Sequence, residues 1–158
     1  MRKAELKRNT KETNVVVSIN LDGAGLSKIN TPFGMLSHML EQISKHANID
    51  LEVKVDGDVE TGSHHVVEDT AIVLGQCIDK ALGDRSGVER MADSTVPLDE
   101  SLSMVALDLG GRGYHSVDIQ PSNQIGDFPT DMARHFFETL AVESKMALHI
   151  KTLAGKNE

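Results

Sequence analysis

Two adjacent histidines and a carboxylate, His64-His65-Val66-Val67-Glu68, are the residues whose types and spacing point most directly to chemistry. On an α-helix positions i and i+4 share a face, so His64 and Glu68 can grip one cation. His65 lies about 100° further round the helix and must serve something else, so adjacent imidazoles naturally serve two ions. The plain alternative is a pair of surface histidines beside Glu68 and Asp69, two acids that favour a helix N-terminus. Against it, protonated imidazoles in a first turn face the positive end of the helix dipole. Neutral imidazole is also the metal-binding form.

A second pattern lies upstream. His38, Gln42 and His46 recur at four-residue spacing and form one polar stripe on a helix whose apolar positions are Leu36, Met39, Leu40, Ile43 and Ala47. Solvated helix faces usually carry Lys and Glu, and this stripe holds neither; two ordinary exposed histidines are the competing account. His135, followed by Phe136 and Phe137, reads either as a further ligand or as a half-buried core histidine. Imidazole and carboxylate donors without thiolate suit divalent Mn, Fe, Co or Zn and not an iron–sulfur cluster. Cys77 lies in an apolar helical stretch and packs. His115 has no counterpart elsewhere in the chain, and His149 reads as a structural strand residue. Arg90 and Arg112 are the anion candidates: Arg offers phosphate a planar fork, and Gly110, Gly111 and Gly113 allow close approach around Arg112. A tight hairpin explains the same glycines. Glu12, at a strand edge beside Thr13, can act as a general acid or base, or simply be solvated.

These residues need elements to hold them. Residues 14–21 are β-branched and end at Asp22-Gly23, which predicts a strand and a turn. A helix over 36–47 follows, then an alternating strand from Ile49 to Val55. Ser63 is the expected N-cap and Gly83 the expected stop of a helix over 66–82. A charged connector runs over 84–93, strands are predicted at 105–109 and 116–119, a helix at 130–144, and a strand at 146–153.

The pattern repeats. Val16-Ser18-Asn20-Asp22-Gly23-Gly25 overlays Met104-Ala106-Asp108-Gly110-Gly111-Gly113 at an offset of 88 (from 16 to 104), which also carries Glu12 onto Glu100. Residues 37–41 overlay 134–138 at an offset of 97 (from 37 to 134), pairing His38 with His135 and Leu51-Glu52-Val53-Lys54 with Leu148-His149-Ile150-Lys151. The expected organisation is two half-domains, 1–92 and 93–158, each running β-β-α-β-α. The sequence stops at Glu158, where the second copy of the His-His-x-x-Glu helix is due, so the expectation is that the working polypeptide is longer.

Composition narrows the partners. The chain has 158 residues, 16 basic and 24 acidic, for a net charge of −8, with 39% hydrophobic and 3% aromatic residues. That balance opposes nucleic acid or an anionic membrane surface as the main partner. One cysteine excludes an intrachain disulfide and suits a reducing compartment. No apolar run approaches the roughly 20 residues of a membrane span, and the charged N-terminus lacks the apolar stretch of a secretory signal. The expected setting is cytoplasmic.

Several blocks in order make the chain similar to the imidazoleglycerol-phosphate dehydratases. They run from Arg8-Asn9-Thr10-Lys11-Glu12-Thr13 through Leu21-Asp22-Gly23, His38-Met39-Leu40, His64-His65-x-x-Glu68-Asp69, Pro97-Leu98-Asp99-Glu100, Asp108-Leu109-x-Gly111-Arg112 and His135-Phe136-Phe137 to Ala154-Gly155-Lys156-Asn157. The resemblance implies an α+β fold of duplicated ribosomal-S5-domain-2-like half-domains, each a small sheet backed by helices, the second copy lacking its last helix. It implies a hydro-lyase of histidine biosynthesis that dehydrates D-erythro-imidazole glycerol phosphate to imidazole acetol phosphate. It also implies two manganese ions per site, sites shared between subunits, and trimers that build a twenty-four-subunit cage when metal is bound. By matching position, His38, His64, His65, Glu68 and His135 are implied as metal ligands. Glu12, Gln42, His46, Arg90 and Arg112 are implied around the substrate, the arginines on phosphate, with Glu12 and His46 as candidate proton carriers. Such a dehydration removes a proton from a carbon without a carbonyl, so no ordinary enolate forms. A metal-bound imidazolate can instead expel the neighbouring hydroxyl through a diazafulvene-like intermediate.

The chain departs from that family pattern in places. Ser37 stands where an aspartate is usual before the helix-one histidine, and Gly113 where a proline is usual, which loosens that turn. A second His-His-x-x-Glu helix and a C-terminal Ser/Lys phosphate segment are not in the sequence, so by this reading the chain completes neither metal site alone. The alternative function is a catalytically inactive, truncated or metal-free form that still oligomerises. A generic metal-dependent hydrolase is disfavoured because the repeat pairs ligands without an obvious water-activating acid.

Overall fold

Alternation of apolar and polar residues builds the first sheet. The computed structural model describes residues 1–57, 59, 62–119 and 124–155. Lys156, Asn157 and Glu158, including the end of the last block quoted above, lie outside the described residues. Strand β1 (Lys3–Asn9) pairs antiparallel with β2 (Thr13–Asn20), in which Val15, Val17 and Ile19 face inward, at most 2% exposed, while Asn14 and Asn20 face out. β3 (Ser27–Asn30) precedes helix α1 (Gly34–Ala47), and β4 (Asp50–Gly57) buries Leu51, Val53 and Val55 in the same way. Each such side chain stabilises the fold by roughly 1.5–3 kcal/mol. The strand order is β1-β2-β4-β3, with β3 parallel to β4. Leu36 and Leu40 of α1, and Val66, Val67, Ala71, Leu74 and Cys77 of α2 (His64–Leu82), close the core.

The second sheet repeats that plan. β5 (Met91–Leu98), β6 (Ser101–Asp108), β7 (Tyr114–Asp118) and, after the small hairpin β8 (Gln124–Ile125) and β9 (Phe128–Pro129) and helix α3 (Thr130–Glu143), β10 (Ala147–Ala154) take the order β5-β6-β10-β7. The duplication is structural as well as sequential. β2 and β6 begin 88 residues apart (13 to 101), and β4 and β10 begin 97 apart (50 to 147). Left-handed residues follow α1 and α3 at Asn48 (φ 53°) and Lys145 (φ 54°), again separated by 97 (48 to 145).

Three features differ from the expected β-β-α-β-α order, each for a physical reason. β3 adds a strand before the first helix, and β5 adds one ahead of the two expected strands of the second half, β6 and β7. β3 is a four-residue edge strand with only Ile29 half-buried, so it shows no alternation. The charged connector ends at Arg90, because β5 begins at Met91; every residue of β5 is exposed, so no hydrophobic period marks it. Gly110, Gly111 and Gly113 do not close a hairpin, since β10 lies between β6 and β7. Gly113, expected to loosen a turn, serves close packing: a Cβ there would stand 2.9 Å from Val142 Cα in the last turn of α3. Gly83 ends α2 with φ 57°, whereas Ser63 precedes the helix without a side-chain cap.

The two halves meet along α2 and α3. A Cβ at Gly75 would stand 2.7 Å from Glu143 Cβ and 3.0 Å from the Leu140 carbonyl oxygen, so only glycine lets the helices approach this closely. Gln76 Nε2 donates to Glu143 Oε2 at 2.8 Å across the same seam. The packing brings the second turn of α3 beside the first turns of α2.

Candidate functional site

At that seam three donor groups converge. His64 and Glu68 project from the first turns of α2, with Val66, Val67 and Thr70 turned into the core behind them. His135 comes from the facing side of α3. His135 Nε2 lies 3.5 Å from Glu68 Oε1, and His64 Nε2 lies 3.8 Å from Glu68 Oε2. The two imidazoles stack at a centroid distance of 4.8 Å, and one donor atom from each residue falls within 4.8 Å of the others. His135 Nε2 is buried without a hydrogen-bond partner. A buried, unpaired imidazole nitrogen is costly unless something satisfies it. Two imidazoles and a carboxylate aimed at one point suit a divalent cation of the Mn, Fe, Co or Zn kind.

The other implied ligands stand apart from this cluster. The His65 ring is edge-on to His64 at 6.0 Å and exposed, as its turn around the helix requires. His38 is exposed on α1. Ser37, at the position where the family usually has aspartate, does not face it: its hydroxyl lies 2.9 Å from Thr31 Oγ1 and accepts the Thr31 N–H at 3.3 Å. Further along α1, His46 Nε2 and Gln42 Oε1 meet at 3.2 Å, one turn apart. Glu12 occupies an exposed turn between β1 and β2, its N–H donating to Thr10 Oγ1 at 3.2 Å.

The arginines form a separate corner. Arg90 Nε and Nη2 donate to the two carboxylate oxygens of Asp108 at 2.6 and 2.8 Å. The Arg90 side-chain bond holds the Asp108 carboxyl below the usual carboxylate range, with help from the charges of Arg90 and Arg112. A Cβ at Gly110 would stand 2.9 Å from Arg90 Nη2, so glycine admits the guanidinium to the loop that carries Arg112. A depression of about 270 Å³ opens here, lined by Asp84, Arg85, Val88, Arg90, Leu109 and Gly110. Arg85 was not foreseen: it donates to Asp79 at 2.5 Å in the last turn of α2 and to the Ser144 carbonyl at 3.3 Å. Its φ of 61° gave no sequence signal, because left-handed arginines have no composition mark.

The histidines left without a role have structural surroundings. His115 Nδ1 lies 3.7 Å from Glu138 Oε1, and His149 is exposed with its ring 5.6 Å from that of Tyr114. Cys77 is fully buried, its Sγ 3.3 Å from the Val17 carbonyl oxygen, and burial pushes its thiol up to about 11. Among the described residues no helix is long and apolar enough to cross a membrane.

Comparison with known proteins identifies the family and the fold. Residues 31–158 match the family model described as Imidazoleglycerol-phosphate dehydratase. An imidazoleglycerol-phosphate dehydratase of Dehalococcoides mccartyi is 48% identical over 158 residues, covering 99% of this chain and 79% of that protein. One from Methanococcoides burtonii is 45% identical over 159 residues, covering 100% of this chain and 83% of the relative. The crystal structure of the Staphylococcus aureus dehydratase superposes with a TM-score of 0.87 at 31% identity, covering 98% of this chain and 86% of that one. The Pyrococcus furiosus enzyme in complex with (S)-C348 gives 0.79 at 28% identity, covering 96% and 81%.

Proposed function

The chain belongs to the imidazoleglycerol-phosphate dehydratase family, hydro-lyases of histidine biosynthesis, and we propose that His64, Glu68 and His135 hold a divalent metal ion, Mn²⁺, against the substrate's azole ring. The observation that carries this reading is the buried, unpartnered Nε2 of His135 facing Glu68 and His64. When bound, such an ion supplies Lewis acidity that stabilises negative charge on the ring.

The chain's own residues do the rest. Arg90, held in a fixed plane by Asp108, and Arg112 beside it bind the phosphate. Glu12 carries a proton to or from the reacting carbon and hydroxyl, and His46, oriented by Gln42, is the second carrier. His38 and His65 serve a second ion of the pair.

A single copy separates these parts. The imidazole cluster sits at the first turns of α2, whereas the arginine corner adjoins its last turn through Arg85 and Asp79. From Glu68 to Asp79 the helix rises about 17 Å, more than a five-membered ring, three carbons and a phosphate can bridge. We therefore read each working site as shared between neighbouring copies, in trimers that join into a twenty-four-subunit cage on metal binding, with half-domains at 1–92 and 93–158. The single, buried cysteine suits a cytoplasmic setting.

The test is direct: purified protein is given imidazole glycerol phosphate, with Mn²⁺ or after chelation, and imidazole acetol phosphate is followed. Turnover that chelation stops and Mn²⁺ restores supports the reading. Turnover unaffected by chelation overturns the metal's role, and a chain that assembles without turning over substrate is the inactive oligomer-forming alternative.

A further inference from the structure

Asp69 follows Glu68 directly, yet it turns away from the imidazole cluster. Its side chain is 9% exposed and is held by residues of another element. Arg8 Nε, near the end of β1, donates to Asp69 Oδ1 at 2.8 Å, and the buried Thr13 hydroxyl, at the start of β2, donates to Oδ2. Thr13 spends its one hydroxyl proton there, so the Thr10 hydroxyl, 3.1 Å from Thr13 Oγ1 and 3.5 Å from the Thr13 carbonyl oxygen, is the donor between the two residues. Thr10 Oγ1 in turn accepts the backbone N–H of Thr13 at 2.9 Å and of Glu12 at 3.2 Å. This chain of bonds runs unbroken from a carboxylate on α2 to the backbone of Glu12.

Gly57 brings the same turn up against the helix. A Cβ there would stand 2.7 Å from Val66 Cγ2, 3.3 Å from Thr13 Cγ2 and 3.5 Å from the Glu12 carbonyl oxygen. The 10–13 turn is therefore seated beside the residue that follows His64 and His65. A satisfied buried network of this kind rigidifies what it joins.

We propose that Asp69, acting through Thr13, is a positioning residue that fixes the Glu12 turn against the imidazole-bearing end of α2. The proposal deepens, and rests on, the reading of Glu12 as a proton carrier. Sequence alone could not separate Asp69 from Glu68, since both are adjacent acids near the start of α2.

The full chain, carried as Thr13→Val, Thr13→Ser, Glu12→Gln and the double variant T13V/E12Q, tests it by kcat, KM, melting temperature and calorimetric Mn²⁺ affinity. Valine keeps the methyl packing on Gly57 and removes the hydroxyl; serine does the reverse. The expected result is a kcat roughly tenfold to a hundredfold lower for Thr13→Val, as for a misplaced catalytic group, with KM and Mn²⁺ affinity within about threefold. Thr13→Ser restores kcat, and Thr13→Val costs nothing further once Glu12 is Gln. Wild-type kcat in Thr13→Val beside a crippled Glu12→Gln sinks the positioning role alone. Loss of Mn²⁺ affinity in step with kcat, or an additive double variant, overturns it too. Wild-type kcat in Glu12→Gln sinks the Glu12 reading itself, and the proposal with it.

Discussion

The two sheets share strand order and differ in what covers them. In the first, α1 and α2 lie over the inward residues of β1, β2 and β4, and Val15, Val17, Leu51 and Val53 are at most 2% exposed. In the second, α3 packs on β7 and β10 and supports a smaller cluster around Val117, Leu148 and Ile150. β6 sends Val105 and Leu107 onto that cluster, whereas β5 pairs with β6 without cover: Val96 is 59% exposed and Leu98 76%. Backbone pairing thus sets the topology, and helix cover sets how much each strand contributes to the core. The imidazole cluster belongs to neither sheet. It sits where the last helix of the first half meets the first helix of the second.

The largest expected effect contrasts the seam with the second sheet. Glu68→Gln or His135→Asn should lower kcat/KM about 10²–10⁴-fold, while His149→Asn, an exposed side chain of β10, should stay within about twofold. Steady-state kinetics on the three variants decide it; equal losses would erase the distinction between seam and sheet.

Stability should separate the two halves next. Leu51→Ala, in the covered sheet, is expected to cost about 2–5 kcal/mol in denaturant unfolding, and Leu98→Ala within about 0.5 kcal/mol. Comparable costs would mean that β5 is covered in solution.

The smallest effect concerns a link between the halves. α1 has no cap of its own; Asp127, in the β8–β9 turn, supplies one by accepting the N–H groups of Gly34 at 2.6 Å and Met35 at 3.1 Å. Donation from Met35 and then Gly34 holds the Asp127 carboxyl below the usual carboxylate range. The folded chain therefore binds that proton less readily than the unfolded one. The contribution is complete above the ordinary Asp value of about 4 and is lost as pH falls through the lower folded value. Asp127→Asn should lose no more than about 1 kcal/mol at pH 7, the ordinary worth of an N-cap, and should flatten the acid limb of a melting-temperature profile between roughly pH 5 and 2. An unchanged acid limb would remove Asp127 as the link.

Much of this was legible because local rules decided it. Alternation marked β2 and β4, a glycine stop marked the end of α2, and the four-residue spacing of His64 and Glu68 placed both on one face. The 97-residue repeat offset recurs in the structure, where Asn48 and Lys145 are both left-handed. What escaped was set by distant partners or by the absence of burial. β5 shows no hydrophobic period because nothing among the described residues covers it. Asp127 caps a helix 93 residues away, and Asp69 reaches Arg8 across 61, separations at which spacing carries no information. His135 joined the cluster through the glycine at position 75, whose purpose only the helix crossing reveals.

The central claim is that His64, Glu68 and His135 bind one divalent cation, and anomalous scattering at the manganese edge tests it most directly. Crystals grown with Mn²⁺ should show a peak bonded to His64, Glu68 and His135 Nε2, and none there after Glu68→Gln. A manganese peak elsewhere, with those three side chains unligated, would contradict the account.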